Sequence, residues 1–103
     1  MVKLVTLYRD TPDSGEFDRR FFEHHLPLVR AYPGLRGMEI TRITGSTIGE
    51  MKYHVMMELI FDSQDSLQAA LASPEGKAVS RDLLMFAPTV TTLIGETEGN
   101  THT

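Results

Sequence analysis

The stretch KYHVMMELIF, residues 52–61, is apolar at neighbouring as well as at alternate positions. A strand with one face in water alternates apolar and polar residues, whereas a strand inside a sheet can be apolar on both faces. We therefore expect residues 52–61 to form the longest strand and a central one.

Three further strands are predicted on either side of this central segment. Residues 2–8 and 36–44 precede it, and residues 89–95 follow it after Pro88. Each run is rich in β-branched and aliphatic residues and is bounded by glycine or proline, as strands commonly are. The loop GSTIGE, residues 45–50, joins the second strand to the third.

One helix is predicted between the first two strands, over residues 16–32. Its apolar residues recur at helical spacing, and Asp13 or Ser14 could cap its N-terminus. It ends before Pro33 and Gly34, because a residue that precedes proline avoids helical geometry and glycine accepts positive φ.

A second helical region is predicted between the third strand and the fourth. Its first helix covers residues 63–73, with Asp62 or Ser63 as its cap. The segment SPEG, residues 73–76, is expected to interrupt it, and a further helix runs from about residue 77 to residue 86.

The predicted element order is β-α-β-β-α-β, which is typical of the α+β, ferredoxin-like fold with a four-stranded antiparallel sheet and its helices on one face. One domain over residues 1–96 accounts for this pattern, and residues 97–103 are expected to form a flexible tail. The predicted strands are apolar on both faces, so the uncovered face invites a partner. We expect a homodimer in which two sheets close into an α/β barrel.

Composition excludes several classes of function. The 103-residue chain carries a formal net charge of −4, whereas nucleic-acid binding proteins usually show a basic patch. It has no cysteine, which excludes disulfides, thiolate nucleophiles and cysteine-bound metals. The N-terminus has too short an apolar run for a signal peptide or a membrane span, so a cytoplasmic protein without membrane contact is expected.

A histidine-proline turn inside the first helix is unexpected, because proline within a helix costs about 3 kcal/mol. Pro27 has no amide hydrogen, and its ring crowds the carbonyl of Glu23. We expect a kink or a change of helical geometry that directs His25 inward, while His24 lies nearer the rim. His25 is either a core histidine with one hydrogen-bond partner or an acid-base group at a pocket wall.

This turn resembles a signature of the EthD family. The matching residues are spread over FDRRFFEHHLPLVRAYPGLRG, residues 17–37, and include Phe17, Phe21, His25, Pro27, Leu28, Pro33, Gly34, Leu35 and Arg36. The resemblance extends over about residues 2–96, with Asp82 and Phe86 in familiar places. It implies a dimeric α/β barrel, and it carries over His25 as a site residue. The family is named for an accessory protein of ethyl tert-butyl ether degradation.

Other side chains are candidates for ligand binding, each with a plainer alternative. Tyr8, Tyr32 and Tyr53 could donate phenolic hydrogen bonds or could lie at the rim. His54, Met56 and Glu58 alternate along the third strand and are expected to share a face, where Glu58 pairs across the sheet or contributes to a pocket. Asp82 could orient a histidine, cap a turn, or lie on the surface.

Three functions remain open at this point. The first is a cofactor-independent isomerase, cyclase or monooxygenase that acts on a hydrophobic, oxygenated small molecule, with His25 moving a proton. The second is a non-catalytic accessory dimer that binds a ligand or haem, with His25 or His54 as the axial ligand. The third is a structural dimer with a filled core. No metal site is expected, because adjacent histidines on a helix diverge and no HExxH spacing occurs.

Overall fold

A computed structural model describes residues 1–99 and contains one four-stranded antiparallel sheet. Its strands are β1 (Val2–Arg9), β2 (Gly37–Arg42), β3 (Tyr53–Phe61) and β4 (Thr91–Glu96). They lie in the order β2-β3-β1-β4, so β3 is an inner strand as its apolar sequence predicted. The ferredoxin-like topology is thereby confirmed.

The helices of this fold pack on one face of the sheet. The first helical region consists of α1 (Ser14–Arg20), a π-helical turn (Phe21–His25) and α2 (Leu26–Val29). The second consists of α3 (Gln64–Ala72) and α4 (Pro74–Phe86). The first region is thus divided in three, where a single helix over residues 16–32 was predicted.

The core lies between the sheet and these helices. Alternate residues of the two inner strands point into it, because successive side chains of a strand face opposite ways. These strand residues are Val2, Leu4, Thr6 and Tyr8 from β1, and Val55, Met57, Leu59 and Phe61 from β3. The helices contribute Phe17, Phe21, Leu26, Val29, Leu67, Ala70 and Val79.

Helix α4 begins at Pro74, so the prediction that it starts near Lys77 is wrong. The Ser73 hydroxyl accepts a hydrogen bond from the Gly76 amide at 3.0 Å and caps the new helix. Proline is tolerated at the first helical position because no intrahelical donor is needed there. The break between α3 and α4 is therefore the single residue Ser73.

The last strand begins at Thr91, two residues later than predicted, because the chain turns first. The Val90 amide donates to the Ala87 carbonyl at 3.2 Å, which holds this turn. Of the residues predicted to cap the helices, Asp13 caps α1, because its side chain accepts from the Glu16 amide. Ser63 caps α3, because its hydroxyl accepts from the Ser66 amide.

The face of the sheet opposite the helices is uncovered in the single chain. Val5, Leu7, Met56 and Ile60 lie on it and are partly exposed. This is the face on which a second copy was expected, and the dimer stays a prediction.

The strand pairing continues just past β4, where the Thr97 amide donates to the Met1 carbonyl at 3.0 Å. Residues 100–103 of the predicted flexible tail lie outside the described residues. Within residues 1–99, no helix combines the length and the apolarity needed to cross a membrane.

Candidate functional site

The π-helical turn explains why Pro27 is tolerated inside the first helical region. The Leu26 amide donates to the Phe21 carbonyl, five residues back, so the turn holds one residue more than an α-helical turn. Pro27 then falls in the first turn of α2, where its missing donor costs little. Phe21 and His25 both point inward and are fully buried.

Asp82 of α4 contacts His25 of this turn and Arg20, the last residue of α1. Its Oδ2 lies 3.0 Å from His25 Nδ1, and its Oδ1 accepts from Arg20 Nη2 at 2.7 Å. In an uninterrupted α-helix, residues five apart point about 140° apart, since each residue turns by about 100°. The wider turn is what allows Arg20 and His25 to reach the same carboxylate.

The surroundings of this trio fix its protonation at neutral pH. Burial alone would raise the pKa of Asp82, but hydrogen bonds from Arg20 and His25 hold it below the usual value. Burial lowers the pKa of His25, and the carboxylate of Asp82 opposes this only in part. A neutral imidazole beside an ionised carboxylate carries its hydrogen on Nδ1, so Nε2 keeps a free lone pair. Nε2 is buried and has no hydrogen-bond partner among residues 1–99.

Tyr8, near the end of β1, carries a second buried polar atom, its phenolic hydroxyl, that has no partner within the described part of the chain. Its ring lies edge-on to His25, with ring centroids 6.3 Å apart, and also packs against Phe86. Burial raises the pKa of Tyr8, with a smaller contribution from the charges of Tyr32 and Asp82, so the hydroxyl keeps its proton.

A cavity of about 430 Å³ lies between the sheet and the helices, and His25, Tyr8 and Tyr32 line it. Most of its other lining residues are apolar, and none of those that the structure describes is Lys, Arg, Asp or Glu. A separate groove of about 450 Å³ runs past Phe86 and Arg20. That groove carries five charged side chains and does not contain His25, so of these two cavities the apolar one has His25 in its lining.

The structure brings together three of the residues singled out in the sequence: His25, Tyr8 and Asp82. Tyr53 and Glu58 do not join them. Glu58 lies on the uncovered face of the sheet, where its carboxylate is 3.6 Å from the ammonium of Lys3 on the neighbouring strand. Tyr53 opens β3, is half-buried and does not line the cavity.

His54 does not share a face with Met56 and Glu58, and the prediction that it does is wrong. The pairing of β3 with β1 skips His54, because the register shifts by one residue there. Its side chain turns toward α1 instead, where Nε2 lies 2.7 Å from Asp18 Oδ1 and the ring lies edge-on to Phe17.

The His54 contact belongs to a small polar cluster at the start of the first helical region. Arg42 donates to Asp18 Oδ2 at 3.0 Å. Burial alone would raise the pKa of Asp18, but its hydrogen bonds with His54 and Arg42 lower it. This cluster joins α1 to β2 and β3, outside the cavity that His25 lines.

Sequence reasoning missed Arg20. In α-helical geometry Arg20 points away from His25. No signal in the sequence marks a π turn other than Pro27, seven residues after Arg20. Within residues 1–99, no three His, Asp or Glu side chains are arranged to hold a metal ion.

Several solved structures share this fold at low sequence identity. A protein of unknown function from Bacteroides fragilis, described as dimeric and ferredoxin-like, aligns with a TM-score of 0.65 at 18% identity, over 93% of this chain and 95% of that one. SnoaB from Streptomyces nogalater, described as a cofactor-independent oxygenase, aligns with a TM-score of 0.69 at 16% identity, over 96% and 94%. At these identities the likeness shows the fold alone.

Two relatives are similar in sequence over most of their length. An uncharacterised 11.0 kDa protein from the thcB-thcC intergenic region of Rhodococcus erythropolis is 25% identical over 84% of each chain. The crystal structure of an ethyl tert-butyl ether degradation (EthD) family protein from Bacillus halodurans is 46% identical, with a TM-score of 0.90 over 94% of this chain and 98% of that one. The EthD domain model matches residues 9–89. The chain therefore belongs to the EthD family.

Proposed function

We propose that this protein catalyses proton transfer on a hydrophobic, oxygenated small molecule, without a cofactor. The observation that carries the proposal is the Asp82-His25 pair: Nε2 of His25 has no hydrogen-bond partner among residues 1–99, and His25 is one of the residues that line a largely apolar cavity. A histidine held by a carboxylate at one nitrogen is oriented to accept a proton at the other.

The proposed reaction begins when Nε2 of His25 takes a proton from an acidic C–H or O–H of the substrate. The imidazolium that forms is stabilised by the ionised carboxylate of Asp82, which Arg20 holds in place. The electron pair left on the substrate moves to its oxygen, where the hydroxyl of Tyr8 donates a hydrogen bond. Return of the proton from His25 to another substrate atom completes an isomerisation.

Haem does not fit the same cavity. Its propionates need cations or water, and the described lining residues include no Lys or Arg. His54 is not an alternative axial ligand, because its Nε2 is engaged by Asp18. The remaining alternative to catalysis is an accessory dimer that binds a small apolar ligand in the same cavity.

The proposal includes a homodimer formed through the uncovered face of the sheet. Val5, Leu7, Met56 and Ile60 make this face apolar, and apolar patches of this kind commonly mark interfaces. The Bacteroides fragilis structure with the same fold is described as dimeric, which supports the proposal.

Deuterium exchange into 1-tetralone tests the catalytic proposal, because this ketone is apolar and exchanges its α-hydrogens through an enol. Proton NMR in D₂O measures the rate. We expect the wild type to accelerate exchange and His25→Gln to lose about a hundredfold or more of that acceleration. Because burial lowers the pKa of His25, the ring is neutral at pH 7, so the rate should be level there and should fall only below about pH 6.5, the ordinary pKa of histidine.

The matched control is His24→Gln, which changes the adjacent, exposed histidine and should keep the wild-type rate. Asp82→Asn should retain the cavity and lower the rate. Equal exchange by the wild type and His25→Gln contradicts proton transfer and leaves the accessory role.

A further inference from the structure

We infer that the ligand of the cavity is an apolar molecule with a neutral hydroxyl group of the phenol or enol class, which His25 and Tyr8 hold together. This inference rests on the proposed function, since it concerns the same cavity. It adds the chemical class of the ligand and excludes carboxylates.

The first step is the hydrogen-bonding capacity of the two unpartnered atoms. His25 Nε2 can only accept, because Asp82 fixes the imidazole hydrogen on Nδ1. The hydroxyl of Tyr8 can donate, and burial keeps its proton in place. Buried polar groups rarely remain without partners. A ligand hydroxyl has the donor that Nε2 requires and the acceptor that the Tyr8 hydroxyl requires.

Several other polar groups satisfy only one of these atoms. A carbonyl or an ether oxygen accepts from Tyr8 but leaves Nε2 without a donor. An ammonium donates to Nε2 but has no lone pair for Tyr8. The pair therefore selects a group that carries both a donor and an acceptor.

The second step is the charge of the lining. No described lining residue carries a full charge, and burial of an unpaired carboxylate is costly. Arg20, the cation nearest to His25 in the trio, does not line this cavity, and its Nη2 is bound to Asp82. A ligand carboxylate would also place an acceptor opposite the lone pair of His25. Anionic ligands are therefore disfavoured.

The third step distinguishes a phenol or enol from an aliphatic alcohol. A more acidic O–H donates a stronger hydrogen bond to an imidazole lone pair, and an enol is the species that the proposed proton transfer forms. The rest of the ligand meets aliphatic side chains, among them Leu71, Val79, Leu83 and Ile94, so an aromatic or alicyclic body is expected.

Three naphthalenes of similar size test this inference by isothermal titration of the full chain at pH 7. 2-Naphthol carries the hydroxyl, 2-methoxynaphthalene accepts but cannot donate, and 2-naphthoate is anionic. We expect 2-naphthol to bind about tenfold tighter than either of the others. If 2-naphthoate binds as tightly as 2-naphthol, the exclusion of carboxylates is wrong. If 2-methoxynaphthalene binds as tightly, or if 2-naphthol does not bind, the inference that the ligand carries a hydroxyl group is wrong.

Two tyrosine variants locate the contact. Tyr8→Phe should weaken 2-naphthol about tenfold, whereas Tyr53→Phe, at a tyrosine that does not line the cavity, should not. An unchanged affinity in Tyr8→Phe means that water satisfies the two atoms and overturns the inference. These titrations measure binding alone, whereas the exchange of 1-tetralone measures proton transfer. Either result can therefore contradict its own proposal while the other proposal holds.

Discussion

His25 is fully buried, yet it carries a titratable ring whose pKa burial lowers. The same feature that leaves Nε2 free as a base must therefore affect folding. In the unfolded chain the ring takes up a proton below about pH 6.5, its ordinary pKa, whereas in the folded protein it stays neutral to lower pH. The unfolded state then binds more protons, and stability falls as the pH falls.

We predict that the wild type loses stability below about pH 6.5 more steeply than His25→Gln does. The difference in slope should approach about 1.4 kcal/mol per pH unit until the folded pKa of His25 is reached. Urea denaturation at a series of pH values measures it. Asp82, whose pKa is lowered, contributes stability that is lost only at more acidic pH, below about 3.9. Parallel curves for the two proteins would show that folding does not lower the pKa of His25.

A second prediction concerns the hydroxyl of Tyr8, which has no partner in the free protein. Its removal in Tyr8→Phe breaks no hydrogen bond, so the free energy of unfolding should stay the same or rise by about 1 kcal/mol. Urea denaturation without ligand checks this. A loss of more than about 1 kcal/mol would mean that the hydroxyl is hydrogen-bonded in the folded chain.

At the scale of the elements, the single-residue break between α3 and α4 brings two helices into close backbone contact. Gly76 is buried in the first turn of α4, and a Cβ at this position would lie 2.2 Å from the carbonyl oxygen of Ala70. Gly76 belongs to the segment SPEG, which was predicted to interrupt a helix, but it lies inside α4 and permits close packing.

We predict that Gly76→Ala destabilises the protein by about 2 kcal/mol or more, although alanine is ordinarily favoured over glycine in a helix by about 1 kcal/mol. Thermal and urea unfolding measure the change. Gly15→Ala in α1 is the matched control, because its Cβ would meet nothing closer than 3.7 Å, and it should be neutral or stabilising. Equal effects of the two substitutions would contradict the packing role of Gly76.

The elements also show where prediction from the sequence stops. Strand and helix order followed from periodicity, because β1 and β3 alternate or run apolar over their full length. The π turn did not follow from periodicity, because the helical pattern assumes regular α-helical geometry. Since the π turn was not predicted, the contact of Arg20 with Asp82 was not predicted either. The pairing of His25 with Asp82, 57 residues apart, and the turning of His54 toward Asp18 depend on tertiary packing and on a one-residue register shift.

For the whole molecule, the sheet has one face under the helices and one that the single chain leaves open. The open face carries the side chains opposite in phase to the core, among them Leu7 and Met56, which are paired in register. Their apolar character was read correctly from the sequence. What covers these side chains stays a prediction, because a single chain does not bury this face.

We predict that Leu7→Lys dissociates the proposed homodimer into folded monomers, because it buries an ammonium in the interface. Leu84→Lys is the control, since Leu84 is 69% exposed on α4, away from this face. Sedimentation velocity should give half the wild-type mass for Leu7→Lys alone, with an unchanged circular dichroism spectrum. A monomeric wild type, or equal dissociation in both variants, contradicts an interface on the sheet.

The position of the tyrosines has an optical consequence. The chain has no tryptophan and three tyrosines, and two of them, Tyr8 and Tyr32, line the cavity. Most of the natural ultraviolet emission of the protein therefore originates at the walls of its candidate site. An aromatic molecule that enters should quench this emission, so the unlabelled chain reports its own occupancy.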